Sequence, residues 1–341
     1  MYKQVNNTII IKWLITVTLL IFVIIIIGGI TRLTGSGLSM VDWKPLMGTI
    51  PPLGYESWLK VFSLYQSSPQ YKLINQSMTL SDFKVIFLWE YLHRMLARLI
   101  GLALLIPYII FAIKNYIPKW LNKHILIMIG LVILQGIIGW YMVKSGLVNK
   151  PEVSHYRLAT HLVMALLLLQ YIIWILLELT KQHAKAMHKL AIPICIWSLG
   201  ILLQIIYGAF TAGKKAGWGY NSYPKMGESW LPESAFMYPS FISNVLDNPV
   251  MIQFIHRHLG VILMIIFIGI WIHIIKNKNN SSLLKKVAST VLIILIIQVL
   301  LGILTLILKI PILLAVIHQL TGALLLTSIT CLNYFLFKQD K

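Results

Sequence analysis

The sequence predicts an all-α membrane protein of eight transmembrane helices, arranged as two four-helix bundles related by a pseudo-two-fold axis. Three observations carry that reading. Of 341 residues, 58% are hydrophobic and only 11% charged, against about 25% charged in an ordinary soluble domain. Eight segments stay apolar for the ~20 residues that a helix needs to cross a bilayer. The first four segments and the last four also carry the same marks in the same order.

The spans fall at 12–30, 85–113, 120–143, 155–177, 190–210, 250–275, 287–308 and 312–337. The first is too long for a signal-peptide core, and Gly28-Gly29-Ile30-Thr31-Arg32 is a poor cleavage motif. It reads as a retained helix, with no Arg- and Ser-rich import signal ahead of it. The net charge of +19 does not point to nucleic acid, because the lysines cluster in short links between apolar runs. Lys114/Lys119/Lys123, Lys181/Lys185/Lys189 and Lys276/Lys278/Lys285/Lys286 mark such links. With Lys3, Lys12, Lys338 and Lys341, they put the links and both termini in the cytoplasm. The long loops 31–84 and 211–249 are then outside, and they hold Asp42, Glu56, Asp82, Glu228, Glu233 and Asp247. Cys195 and Cys331 sit inside apolar stretches and read as buried fillers, not as a disulfide or metal site.

The repeat is specific. Span 1 ends Gly28-Gly29-Ile30-Thr31 and span 5 ends Gly208-Ala209-Phe210-Thr211. A Pro-x-Met-Gly follows each, at Pro45-Leu46-Met47-Gly48 and Pro224-Lys225-Met226-Gly227. The second span of each half carries His-Arg, at 93–94 and 256–257, and the third carries Gln-x-x-x-Gly, at 135–139 and 298–302. Both pairs are displaced by 163 positions, from 93 to 256 and from 135 to 298. Four spans per half give both halves one topology, as in parallel repeats. The halves are 1–189 and 190–341.

Of ten histidines, His183 and His188 lie in a cytoplasmic link. His124 and His273 lie near cytoplasmic ends, and His155 at an outer end. All five read as interfacial or solvated. His93, His161, His256 and His318 each stand six to eight residues inside the outer end of a span. At about 1.5 Å per residue, all four lie ~9–12 Å deep. Packing alone would explain one such histidine; four at one depth and in repeat register point to function. Pairing within halves joins His93 to His161 and His256 to His318. Facing imidazoles on two helices can take both axial positions of a haem iron. Arg94 and Arg98 beside His93, and Arg257 beside His256, suit haem propionates. No Cys or Asp stands by as a third ligand for a bare zinc ion.

Glu90 breaks the symmetry. It lies one turn before His93, while Gln253 holds the matching position before His256. A carboxylate inside a span is costly and marks chemistry, although a hydrogen bond to Arg94 or to the loop backbone would also account for it. The contrast suggests that one half does chemistry and the other holds a permanent haem.

These residues resemble the haem A synthase family over nearly the whole chain. TRLTGSGLSMVDWKPLMGTIPPL (31–53) is similar to that family's first outer loop, and FLWEYLHR (87–94) to its Glu-x-x-His-Arg motif. YGAFTAGKKAGWGYNSYPKMGESWLPE (207–233), QFIHRHLG (253–260) and HQLTGALLL (318–326) resemble its second-half motifs. The absence of loop cysteines resembles the alpha-proteobacterial and mitochondrial subgroup. Lys214-Lys215 departs from the less basic pair expected in AGxxAG. The resemblance implies oxidation of a methyl substituent of haem O to a formyl group by successive hydroxylation. It implies haem b as cofactor on His256 and His318, with Arg257. It implies that His93, His161, Arg94 and Arg98 receive haem O, with Glu90 as the catalytic proton-handling group. It further implies a bacterial inner membrane, membrane lipid as surroundings, a haem O synthase as partner and an electron donor. The sequence does not identify that donor and leaves a homo-oligomer open. Two other classes compete: a b-type membrane cytochrome for electron transfer, and a haem transport or delivery protein.

Overall fold

A computed structural model of the chain describes residues 7–41, 49–147, 151–180 and 187–338. Lys3, Asp42, Pro45–Gly48, Lys181, His183, Lys185 and Lys341, used above, lie outside the described residues. The helices are α1 (Asn7–Leu33), α2 (Tyr55–Gln66), α3 (Pro69–Leu73), α4 (Leu80–Ile113), α5 (Lys119–Lys144), α6 (His155–Thr180), α7 (Ala191–Gly213), α8 (Phe241–Asp247), α9 (Pro249–Lys276), α10 (Ser282–Ile307) and α11 (Ile312–Phe337). Eight of them, α1, α4, α5, α6, α7, α9, α10 and α11, are long and apolar enough to cross a membrane. The chain is a multi-pass membrane protein. Among the described residues there is no strand, only an isolated bridge between Met226 and Ser229.

The apolar residues are distributed as lipid requires. Leu102, Ile106, Ile133, Ile196, Ile265 and Ile293 are all exposed on their helices. Cys195 corrects an expectation. It is exposed on α7 rather than buried, because an apolar position in a membrane helix can face outward as readily as inward.

The chain divides into two compact units, Met1–Met164 and Ala165–Lys341, with the division inside α6. In the first, α1 packs on α4 and α4 on α5. The Trp13 indole donates to the Ala103 carbonyl at 2.7 Å, tying α1 to α4. In the second, α7, α9, α10 and α11 close a ring, each helix packing on the next and α11 returning to α7. Trp197 donates to the Leu263 carbonyl at 3.0 Å, tying α7 to α9.

Helix α4 begins five residues before the apolar run expected from 85. Thr79 caps it through a capping box with Asp82, and its first turns are buried under α2. Phe62, Tyr65, Phe83, Ile86 and Phe87 form that cluster. The Tyr65 hydroxyl donates to Gln70 and accepts from Asn75, and Gln70 donates to the Gly35 carbonyl beyond the end of α1. Burial pushes the Tyr65 phenol above its usual range, so it stays a neutral donor and acceptor.

Candidate functional site

Four glycines locate the site. A Cβ at Gly28 on α1 would lie 3.1 Å from His93 Cε1 on α4, and one at Gly139 on α5 would lie 2.9 Å from His161 Cε1 on α6. In the second unit a Cβ at Gly208 on α7 would lie 3.0 Å from His256 Cε1 on α9, and one at Gly302 on α10 would lie 2.9 Å from His318 Cε1 on α11. Each histidine therefore packs its ring against a bare backbone position on the long apolar helix that precedes its own among the eight. The four glycines also hold the same place in their helices. Each lies five residues before the end of its helix: 28 before 33, 139 before 144, 208 before 213 and 302 before 307.

The histidines differ more in their distance from the start of their helices. His161, His256 and His318 lie six, seven and six residues into their helices, counting from 155, 249 and 312, but His93 lies thirteen in, counting from 80. The early start of α4 explains the difference. What the four share is the place of the partner glycine, five residues before its helix ends.

In the second unit the His256 and His318 ring centres are 6.5 Å apart with planes at 85°. Two imidazoles sharing one iron, bonded at about 2 Å each, would have ring centres roughly 6.4 Å apart, so the spacing fits a shared iron. His256 Nδ1 lies 3.2 Å from the Gln204 carbonyl. A proton held there leaves Nε2 free as a ligand. His318 Nδ1 is buried without a partner, as is Arg257 Nε, a donor suited to a carboxylate. In the first unit His93 Nδ1 is buried without a partner. Among the described residues no three His, Cys, Asp or Glu gather as a bare-metal site.

Glutamines, which sequence reasoning used only as marks of the repeat, support these rings. Gln135 Nε2 donates to the His161 carbonyl at 2.9 Å and lies 3.1 Å from its Nδ1. Gln204 Nε2 does the same for His256, at 2.7 and 3.1 Å. Gln298 Nε2 lies 3.5 Å from His318 Nε2. The Gln-x-x-x-Gly pattern thus occurs on α7 as well, at Gln204 and Gly208, where it had gone unrecognised.

Glu90 is buried, at 2% exposure. It accepts from Ser39 Oγ at 2.7 Å and the Met40 amide at 2.8 Å, and pairs with Arg94 at 2.5 Å. Arg94 also donates to the Met40 carbonyl at 3.1 Å. Gln253 and Arg257 do the matching job: Gln253 donates to the Tyr220 carbonyl at 2.8 Å, and Arg257 to Ser222 and Lys225 at 3.0 Å. Met40 and Tyr220 each lie twelve residues past their glycine, 28 to 40 and 208 to 220. Both units therefore clasp the chain leaving the first helix, one with an ion pair and one with a neutral amide. In the second unit the clasped turn is Pro224–Gly227. Arg98 donates weakly to Met95 Sδ at 3.7 Å.

The remaining histidines sit mostly at helix ends. His124 is in the first turns of α5, against Trp120, and His273 in the last turn of α9. His188 bonds Asn280 at 3.1 Å. His155, the first residue of α6, differs from expectation: it is 7% exposed and packs on Tyr156. His258, which the sequence reading passed over, turns back onto the Phe254 carbonyl at 2.8 Å. Lys214, which departs from the family pattern, pairs with Asp247 at 3.4 Å.

Fold and site together define a helical membrane protein in which paired histidines and small residues recur in each half. The COX15-CtaA family, described as cytochrome oxidase assembly protein, matches residues 11–330, and the chain belongs to it. It is 42% identical over 328 residues to heme A synthase of Wolbachia pipientis subsp. Culex pipiens, covering 94% of this chain and 96% of that one. It is 40% identical over 344 residues to heme A synthase of Rickettsia felis, covering 98% and 99%. Against heme A synthase COX15 of Bos taurus it is 41% identical over 329 residues, covering 93% and 79%.

Proposed function

We propose that this protein is a haem A synthase, an oxidoreductase acting on a C–H group of haem O to give haem A for cytochrome oxidase. The observation that carries the reading is the His256–His318 pair, spaced for one iron, in a chain whose full-length relatives bear that name. The second half, 190–341, holds haem b on these two histidines, with Arg257 Nε available to a propionate. Haem b supplies one-electron redox chemistry when bound. The first half, 1–189, receives haem O between His93 and His161, with Arg94 and Arg98 at its acidic edge.

The chain's own share is positioning and proton handling. The glycines let each imidazole approach its partner helix. Glu90, bonded by Arg94, Ser39 and the Met40 amide, is the carboxylate beside the substrate histidine and handles a proton as the methyl carbon is oxidised. The protein lies in a bacterial inner membrane with both termini cytoplasmic, receives substrate from a haem O synthase and draws electrons from a separate donor.

The full-length relatives named heme A synthase favour this reading over a transmembrane electron relay. The test is co-expression with haem O synthase in cells lacking their own haem A synthase, followed by chromatography of extracted haems. Haem A, or an oxidised intermediate, is the expected product. Unchanged haem O beside a folded, haem-loaded protein would leave transport as the better description.

A further inference from the structure

Away from the histidines, the second unit holds a cavity of about 290 Å³ between α6 and α11, lined by Leu167, Gln170, Tyr171, Trp174, Thr330 and Asn333. The four α6 residues fall on one helical stripe, at i, i+3, i+4 and i+7, where packed apolar side chains are the rule. Thr330 and Asn333 share a face of α11. They stand twelve and fifteen residues past His318, and the same steps past His161 reach Ile173 and Leu176. The repeat therefore does not account for this polar pair. The cavity lies toward the far ends of both helices: Asn333 is four residues before the end of α11 and Trp174 six before the end of α6. Leu167 is exposed, and Trp174 is held edge-on by Tyr334, with ring centres 5.1 Å apart.

Two polar atoms of the lining are buried without a partner, Gln170 Nε2 and Asn333 Oδ1. The bonds behind them fix which atom each presents. Ser198 Oγ gives its proton to the Ile194 carbonyl at 2.7 Å and accepts from Asn333 Nδ2 at 2.9 Å, which leaves Asn333 with an acceptor. Thr330 Oγ1 donates to Gln170 Oε1 at 2.8 Å, which leaves Gln170 with a donor. Buried polar groups in a membrane are costly unless paired. A ligand that suits the site accepts from Gln170, donates to Asn333, lies flat against aromatic rings and arrives through lipid. Phosphate and ester oxygens of phospholipids only accept, whereas a phenolic hydroxyl does both. We propose that this cavity binds the head ring of a membrane hydroquinone, with its tail left in the lipid. The volume is near the small end of ligand pockets, roughly 300 Å³, and suits one substituted ring. A quinone offers carbonyl oxygens alone, so it serves Gln170 and leaves Asn333 unpaired; the site selects the reduced form. Hydroquinones are membrane-borne electron donors. For its role, though not for the binding itself, the inference rests on the reading of this protein as an oxidoreductase supplied by a separate donor.

The test is calorimetric titration of the haem-loaded protein in phosphatidylcholine nanodiscs without oxygen. Decylubiquinol is added to the ferrous protein and decylubiquinone to the ferric, so that neither pair reacts. Decylubiquinol should bind about tenfold tighter. Asn333→Leu should weaken decylubiquinol about tenfold and leave decylubiquinone unchanged, while Gln170→Leu should weaken both about tenfold. Neither change strands a partner, because Ser198 keeps the Ile194 carbonyl and Thr330 the Leu326 carbonyl at 3.0 Å. A purely structural Asn333 would not distinguish the two forms. Equal affinity of the wild type for both would overturn the inference, and so would the lack of saturable binding above the phospholipid, which would give the cavity to an acyl chain. Both measurements stand on the wild type, whatever the variants do. Neither depends on haem A output, so the synthase reading fails or survives separately.

Discussion

Glu90 and Gln253 differ by one oxygen for one nitrogen, and each clasps the loop that follows its unit's first helix. Glu90→Gln is therefore expected to fold and to keep the second-half haem, its amide donating to the Met40 carbonyl as Gln253 does to Tyr220. It is expected to lower haem A output at least tenfold, because an amide cannot take and return a proton. Haem b per protein and product haems are measured together; full haem A output would reduce Glu90 to a loop clasp. The glycines give a sharper steric test. Gly302→Ala puts a methyl 2.9 Å from His318 Cε1 and should abolish the bis-histidine spectrum of the second half. Gly269→Ala, with nothing within 4 Å, should leave that spectrum intact and stabilise α9 by about 0.5–1 kcal/mol. Equal effects would show that contact with the ring is not what the glycines provide. At this scale the sequence was legible in its histidines, since an imidazole in an apolar turn is conspicuous. The glycines' role was not legible, because a missing side chain shows what it admits only when the neighbouring helix is in place. His258 went unremarked, and only the structure shows that its ring turns back on its own helix.

Single elements carry the second kind of difference. The chain leaves α1 through Gly35 at φ 68 and leaves α7 through Lys215 at φ 53. The two are equivalent, each seven residues past its glycine, 28 to 35 and 208 to 215. A lysine in the left-handed region costs about 1 kcal/mol that glycine avoids. Lys215→Gly should therefore raise the thermal midpoint slightly, with a gain of up to about 0.6 kcal/mol after the added freedom of the unfolded chain is subtracted. A lower midpoint would mean that the contacts of the Lys215 side chain outweigh its backbone strain. The eight spans were legible because ~20 apolar residues leave little choice. The start of α4 was not, since its first turns are held by a capping box and an aromatic cluster contributed by a loop.

For the whole molecule, eight spans and the basic links lead to the expectation that both termini are cytoplasmic. A reporter fused after Phe337 should be active as a cytoplasmic fusion, and one inserted at Asn221 as an external one. The reverse pattern would invert the placement of every histidine. The repeat itself was legible in the spacing of His-Arg and Gln-Gly pairs, but the division of the chain inside α6 was not, because nothing in composition changes there.

The five-residue interval between each glycine and the end of its helix has a consequence for how this protein can vary. From Gly28 to His93 the chain runs 65 positions, and from Gly208 to His256 only 48, yet both histidines meet their glycine at about 3 Å. Loop length and pocket position are thus uncoupled. Outer loops can lengthen, shorten or acquire new helices such as α2 and α3 over generations without retuning the pockets. A single residue gained or lost inside one of the four helix ends would turn its glycine about 100° away from the ring. Insertions among descendants of such a chain should accumulate in the loops and be purged from those four short stretches.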